Sequence, residues 1–159
     1  MSKKVKPRKK SKRAPADARN MVNLVKNPVW AAYAKKPINQ ETQTTVGVAA
    51  RLSLTAFQAG TAEATDFSEL HVTSHTAMVL AERGYGADLT PDFESSLLVM
   101  RACRKRANAG LPWSLDVTEG QIIALLLDLH EQQVQLAGQA ELARAIVDGY
   151  RRIQVGREA

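Results

Sequence analysis

The segment that decides the fold runs from residue 118 to residue 138 and reads TEGQIIALLLDLHEQQVQLAG. Its apolar side chains recur at helical spacing and cover most of the helix circumference. The narrow polar stripe that remains contains Asp128, Glu131 and Gln135. Thr118 and Gln121 have the spacing of a capping box, and Gly138 can end the helix. The segment is therefore predicted to be a long helix at the centre of the fold.

Helical periodicity extends in both directions from this segment. Three further helical segments precede it and one follows it, covering residues 44–60, 65–84, 90–110 and 139–153. No stretch alternates polar and apolar residues over a useful length, so β-strands are not expected. The chain is predicted to be all-α, with a bundle of about five helices over residues 46–155.

The last two helices could form either a DNA-reading helix-turn-helix or an antiparallel hairpin. A reading helix exposes donors near its start and is basic, whereas Gln139 and Glu141 stand at the start of this one. The helix before it is also about twice the usual length. An antiparallel hairpin is therefore the expected arrangement.

The net positive charge of the chain lies in its first residues. Residues 1–20 hold nine basic side chains and one acid, so residues 21–159 hold 22 − 9 = 13 basic and 16 − 1 = 15 acidic side chains. Dense like charge with almost nothing apolar opposes collapse, so residues 1–20 are predicted to be a disordered basic tail. Residues 21–45 are predicted to be an irregular arm, with Trp30 and Tyr33 available to pack on the bundle.

The basic tail is the strongest functional signal in the sequence. Its density of charge would release condensed counterions from a phosphate backbone, which predicts strongly salt-dependent binding to DNA or RNA. The residues expected to bind are Lys3, Lys4, Lys6, Arg8, Lys9, Lys10, Lys12 and Arg13. The alternatives are a solubilising tail and attraction to an anionic membrane surface. No apolar helix face accompanies the run, which disfavours the membrane.

A second basic group ends the third helical segment. Arg101 and Lys105 stand one turn apart, so they could continue a phosphate-binding track that begins in the tail. The alternative is structural, because cations in a last helical turn oppose the negative end of the helix dipole. Both interpretations stay open at the level of the sequence, with the structural one slightly favoured.

The histidines and the single cysteine are the residues with a catalytic or metal-binding character. His71 and His75 are one helical turn apart, and His130 lies on the apolar side of residues 118–138. No second cysteine and no Glu-x-x-His pair supports them, so packed, hydrogen-bonded histidines are expected rather than ligands. Cys103 is interpreted as a small buried hydrophobe. We expect no metal, no cofactor and no catalytic residue.

The compartment follows from cysteine usage and apolar runs. One cysteine allows no intrachain disulfide, which fits a reducing compartment. No apolar stretch of signal-peptide type follows the basic residues, and the longest apolar run, Ile122–Leu127, is far short of the roughly 20 residues that span a bilayer. A cytoplasmic protein without a membrane span is expected.

Three short motifs carry a resemblance. KPRKK begins at Lys6, AGTAEATDFSEL covers residues 59–70, and AERGYG covers residues 81–86. In this layout the chain resembles small helical proteins with a basic N-terminal tail from bacterial phages and other mobile elements. The resemblance implies a helical fold. It carries over no activity and no functional residues.

Two hypotheses for the function follow. The first is a non-enzymatic, nucleic-acid-associated accessory or regulatory protein that binds the phosphate backbone through its basic tail. The alternative is a protein–protein interaction module, a helical bundle that binds a partner such as a host factor. It is motivated by the second and fourth helical segments, whose apolar arcs are wider than one neighbour usually covers. The same surplus predicts contact between copies of the chain, so a homo-oligomer is a further expectation.

Overall fold

The computed structural model describes residues 37–158, which form five α-helices and one short 3-10 helix. The α-helices are α1 (Gln40–Ala59), α2 (Ala64–Glu82), α3 (Thr90–Asn108), α4 (Val117–Leu136) and α5 (Gln139–Glu158). The 3-10 helix, Ala87–Leu89, joins α2 to α3. No β-strand occurs among the described residues, although an isolated bridge pairs Pro37 with Gly138. The predicted all-α fold with about five helices is confirmed. The tail over residues 1–20 lies outside the described residues.

Two helices begin earlier than the sequence pattern indicates. Helix α1 starts at Gln40, so the last six residues of the arm predicted over 21–45 are helical. Helix α4 starts at Val117 because the capping box is made by Asp116 and Glu119. The Glu119 amide donates to Asp116 Oδ1 at 2.8 Å, and the Asp116 amide donates to Glu119 Oε2 at 3.0 Å. Two carboxylates at this helix end also oppose the positive end of its dipole, so they cap it instead of Thr118 and Gln121.

The central helix is α2, not α4 as the hydrophobic pattern predicted. Helix α2 packs against each of the other four, whereas α4 packs against α1, α2 and α3. Helix α4 leaves large apolar side chains in solvent, with Val117 80% and Leu136 73% exposed. A wide apolar arc therefore did not mark the most enclosed helix.

Short side chains explain why α2 can hold four neighbours. Ser74, Thr76 and Ala77 are almost fully buried along it, and residues of this size allow other helices to approach closely. Burying a hydroxyl costs free energy unless it is hydrogen-bonded. Ser74 Oγ donates to the Leu70 carbonyl and Thr76 Oγ1 to the Val72 carbonyl, each at 2.8 Å. The carbonyls of the helix itself thus satisfy these two buried hydroxyls.

Helix α5 packs on α2 and makes no extensive contact with α4, so the predicted hairpin of the last two helices is wrong. Ala137 has an extended backbone conformation, so the chain leaves the axis of α4 before α5 begins at Gln139. Gly149 marks the crossing, because a Cβ built there would lie 3.2 Å from the Thr76 amide nitrogen and 3.4 Å from His75 Cβ. This crossing brings α5 next to the histidines of α2.

Candidate nucleic-acid interface

The two body residues predicted to bind phosphate, Arg101 and Lys105, are exposed on α3. Neither forms a salt bridge within the part of the chain that the structure describes. Six other arginines behave differently, since each is ion-paired with at least one carboxylate: Arg51, Arg83, Arg106, Arg144, Arg151 and Arg152. Arg101 and Lys105 therefore present positive charge that no described acid neutralises.

Basic side chains at the end of α3 could stabilise the helix end instead of binding a ligand. This role fits Arg106 and not Arg101. Arg106 donates to both carboxylate oxygens of Glu119, at 2.8 and 2.6 Å, and to the Ser114 carbonyl at 2.9 Å. These bonds hold the loop between α3 and α4 and raise the pKa of Arg106. Arg101 stands about two turns before the end of α3, where the helix dipole has little effect. Lys105 lies in the last turn, so the dipole argument applies to it in part.

Arg104, between the two predicted residues, points back onto α2. Its Nη2 lies 3.2 Å from His71 Nδ1, and its Cζ lies 4.9 Å from the centre of the Phe67 ring. Phe67 in turn stacks on His71, with ring centres 5.2 Å apart. These contacts join the last turns of α3 to the start of α2, because the two helices run antiparallel. The sequence alone does not indicate this contact, because Arg104 and His71 are 33 residues apart.

The two α2 histidines are in direct contact. His71 Nε2 and His75 Nε2 are 3.2 Å apart, and the rings meet edge to face with centres 4.7 Å apart. An arginine only donates hydrogen bonds, so His71 Nδ1 must accept from Arg104 and the His71 proton must lie on Nε2. That proton is then donated to His75 Nε2, which leaves the His75 proton on Nδ1. The three side chains form a directed hydrogen-bond chain from Arg104 through His71 to His75.

The chain ends in a buried donor with no partner. His75 Nδ1 is buried and has no hydrogen-bond acceptor among the described residues. Burial lowers the pKa of His75, and the positive charges of Arg152, Arg104 and Arg101 lower it further. Arg152 reaches this place from α5, where it binds both oxygens of the Glu82 carboxylate. We call this group the histidine–arginine cluster, and it consists of His71, His75, Arg101, Arg104 and Arg152.

The geometry of the pair favours hydrogen bonding over metal ligation. Two Nε2 atoms 3.2 Å apart could face one metal ion, but both rings would then need their protons on Nδ1. Arg104 occupies His71 Nδ1 with a donor, which opposes that tautomer. No group of three or more His, Cys, Asp or Glu side chains suited to a metal occurs in residues 37–158 as described.

His130 lies apart from the other two histidines. It is 4% exposed, and its Nδ1 lies 3.1 Å from Gln133 Oε1. Burial lowers the pKa of His130, against a smaller opposing effect of the hydrogen bond that His130 donates to Gln133. The residue borders a pocket of about 400 Å³ between α1 and α4, where Arg51 is bound by Glu131 and Asp128. The three histidines therefore do not converge on one site.

Cys103 is a buried side chain of the core, as predicted. It is 1% exposed, and burial raises the pKa of its thiol above the ordinary value. A thiol kept protonated is a poor nucleophile.

The structure thus brings Arg101 together with residues that sequence reasoning did not assign to the site. The spacing of His71 and His75 was visible in the sequence as one helical turn. The positions of Arg104 and Arg152 were not, because they depend on how α3 and α5 align with α2. The predicted tail residues, from Lys3 to Arg13, lie outside the described residues.

Comparisons of the chain with protein-family models, with curated proteins and with solved structures find no match. The resemblance to helical proteins of phages and mobile elements therefore stays a prediction. Among the described helices, none combines the length and the apolar character that crossing a membrane requires.

Proposed function

We propose that the protein is a non-enzymatic, nucleic-acid-associated accessory protein of a reducing compartment such as the cytoplasm. Its basic tail supplies most of the affinity for the phosphate backbone, and Arg101 and Lys105 add contacts from the folded body. The observation that carries the proposal is that these two exposed cations have no carboxylate partner among the described residues, whereas the six arginines named above are all ion-paired.

Unpaired surface cations favour an anionic ligand for an electrostatic reason. A cation that already binds a carboxylate must lose that partner before it contacts a phosphate, whereas an unpaired cation loses only water and counterions. Arg101 and Lys105 are one turn apart on α3, so they can follow a backbone whose charges repeat. Such contacts position a protein on a nucleic acid without reading bases.

The test is a salt series with full-length protein and labelled duplex DNA, single-stranded DNA and single-stranded RNA. One variant replaces the eight basic tail residues, from Lys3 to Arg13, with Gln. A second variant is Arg101→Gln/Lys105→Gln. Its matched control is Arg144→Gln/Arg151→Gln, which removes the same charge from exposed positions on α5.

Each phosphate contact contributes about 0.9 to the slope of log affinity against log salt on duplex DNA. We expect the tail variant to lose most of the slope, and Arg101→Gln/Lys105→Gln to lose up to about 1.8, for two contacts. The control should stay close to the wild type. A tail variant that binds with unchanged affinity and slope would overturn the proposal. If Arg101→Gln/Lys105→Gln and its control show the same salt slope, the folded body makes no phosphate contact and the proposal is limited to the tail.

The alternative, a protein-interaction module, has its own observation. Val48 and Leu52 are one turn apart on α1 and are 49% and 64% exposed, and Leu125 on the neighbouring α4 is 47% exposed. Apolar side chains grouped in this way favour a protein contact. Light scattering across a concentration series measures whether the chain associates with itself. An unchanged monomer mass for the wild type and for Leu52→Gln would count against a homo-oligomer.

A further inference from the structure

We propose that the histidine–arginine cluster is a proton-linked site for a nucleic-acid phosphodiester, which binds there as the His71–His75 pair takes up a proton. This inference rests on the proposed function and adds to it a specific place on the folded body and a dependence on pH. It concerns α2, α3 and α5, whereas the tail lies elsewhere in the chain.

The hydrogen-bond chain allows only neutral histidines. If His71 gains a proton, its Nδ1 becomes a donor and faces the Arg104 guanidinium, which is also only a donor. If His75 gains a proton, its Nε2 becomes a donor, and the proton on His71 must move to Nδ1, with the same result. Either event breaks the contact between Arg104 and His71. Protonation therefore adds one positive charge to the cluster and ends the donation from Arg104 Nη2 to His71 Nδ1.

The charges around the pair make an anion the natural acceptor. Arg101 and Arg104 act on His75 from α3, and Arg152 acts on it from α5. Among the described residues, two acids act on Arg152: Glu82 of α2, which Arg152 binds through both oxygens, and Asp148 of α5. A phosphodiester carries a fixed negative charge and accepts hydrogen bonds only, so it can accept from Arg104 and from a protonated imidazole.

The thermodynamic linkage between proton uptake and phosphate binding determines whether the affinity rises or falls with pH. In the free protein, burial and the arginine charges hold the pKa of His75 below its ordinary value, so His75 is neutral near neutral pH. A bound phosphate opposes both effects and raises the pKa of the pair. Proton uptake on binding then means that affinity rises as the pH falls.

The experiment measures binding of full-length protein to labelled duplex DNA with hydroxyl ends, from about pH 7.5 to about pH 5.5, the range in which histidine titrates. Hydroxyl ends are needed because a terminal phosphate itself titrates near about pH 6. The variants are His71→Gln/His75→Gln and, as the matched control, His130→Gln, which removes the histidine outside the cluster. The N-terminal amine titrates equally in all three proteins and cancels in the comparison.

We expect the wild-type affinity to rise several-fold, and at most about tenfold for each pH unit and proton taken up. The rise should persist in His130→Gln and be lost in His71→Gln/His75→Gln. The chain has three histidines, so NMR titration of their ring signals gives a second measurement that needs no variant to fold well. The pKa of His71 or His75 should rise when DNA is added, whereas that of His130 should not.

The experiment distinguishes failure of the proton-linked site from failure of the proposed function. If the wild type binds DNA and the double variant keeps the same pH dependence, with no change in the NMR titration of His71 or His75, the proton-linked site is overturned and the proposed function stands. If the wild type binds no DNA or RNA at any pH, the proposed function fails and the site fails with it.

Discussion

Gln133 is the side chain that ties three parts of the bundle together. It lies on α4 and is 2% exposed. Its Nε2 donates to the Ala77 carbonyl of α2 at 3.1 Å and to the Tyr85 carbonyl after α2 at 2.7 Å. Since both amide protons are used in this way, Oε1 must accept the bond from His130 Nδ1. One buried amide therefore fixes both the α2–α4 contact and the tautomer of His130.

Replacing Gln133 with Leu should therefore be strongly destabilising. The substitution keeps the approximate size but leaves the Tyr85 carbonyl and His130 Nδ1 buried without their partner. An unsatisfied buried polar group costs about 1–3 kcal/mol, so Gln133→Leu should lower the free energy of unfolding by about 2–4 kcal/mol. Urea denaturation measures this change in the free energy of unfolding. The control is Gln132→Leu, an exposed neighbour, which should change stability by less than about 0.5 kcal/mol. Similar losses for both variants would contradict this role of Gln133.

Single residues also mark where prediction from the sequence ends. The burial of Cys103 and the contact of His71 with His75 follow from helical spacing, which is a local property. The bond from Arg104 to His71 joins residues 33 positions apart, so it depends on the alignment of α2 with α3. A single sequence contains no signal for that alignment. The spacing of the two histidines could therefore be predicted, whereas the positions of Arg104 and Arg152 beside them could not.

How completely a helix is surrounded by its neighbours depends on the size of its side chains as much as on their hydrophobicity. Helix α4 has the most apolar sequence but exposes Leu125 and Leu136, whereas α2 buries Ser74 and Thr76. Periodicity predicts which face of a helix is apolar, and this is why the five helices were predicted correctly. It does not predict which helix has side chains short enough to be surrounded. For this reason α4 was wrongly predicted to be the central helix in place of α2.

The α2–α5 crossing gives a prediction at this scale. Gly149→Ala would place a methyl group 3.2 Å from the Thr76 amide nitrogen, a backbone atom that cannot move without shifting α2. Overpacking costs about 1–3 kcal/mol, and the better helix propensity of Ala returns at most about 1 kcal/mol. We expect a net loss of up to about 2 kcal/mol, measured by thermal or urea unfolding.

The control for this crossing is Gly120→Ala on α4. A Cβ built at Gly120 meets no atom within 4 Å, so only the helix propensity changes. Its stability should rise by up to about 1 kcal/mol. If Gly149→Ala raised stability as much as Gly120→Ala, the two helices would not be in tight contact at that point.

For the whole molecule, charge is divided between a basic N-terminal segment and a body that is close to neutral. Residues 21–159 carry 13 − 15 = −2 by formal charge. Within the described body six arginines are in ion pairs with carboxylates, and four of them, such as Arg83 with Glu141 and Asp148, join one helix or its end to another. The positive charge left for a ligand is therefore concentrated on α3. This distribution, and not the fold, is what favours a phosphate partner.

The stability of the whole bundle should fall in mild acid because two of its histidines are held neutral. Burial lowers the pKa of His130, and burial with the nearby arginines lowers that of His75. The unfolded chain takes up these protons near its ordinary pKa of about 6.5, while the folded protein does not. Stability is thus complete above about pH 6.5 and is lost as the pH falls from there towards the folded pKa values.

Urea unfolding at about pH 7.5 and about pH 5.5, above the range where most carboxylates titrate, measures this loss. Each histidine can contribute at most about 1.4 kcal/mol per pH unit, so the slope of stability against pH should lie between zero and twice that value. His130→Gln should show a shallower slope than the wild type even if its stability at neutral pH is lower. A wild-type slope of zero, or NMR titration of His75 and His130 at their ordinary pKa in the folded protein, would refute the argument. Because DNA bound at the histidine–arginine cluster would raise the pKa of the pair, it should reduce the acid loss due to His75 and leave that due to His130 unchanged.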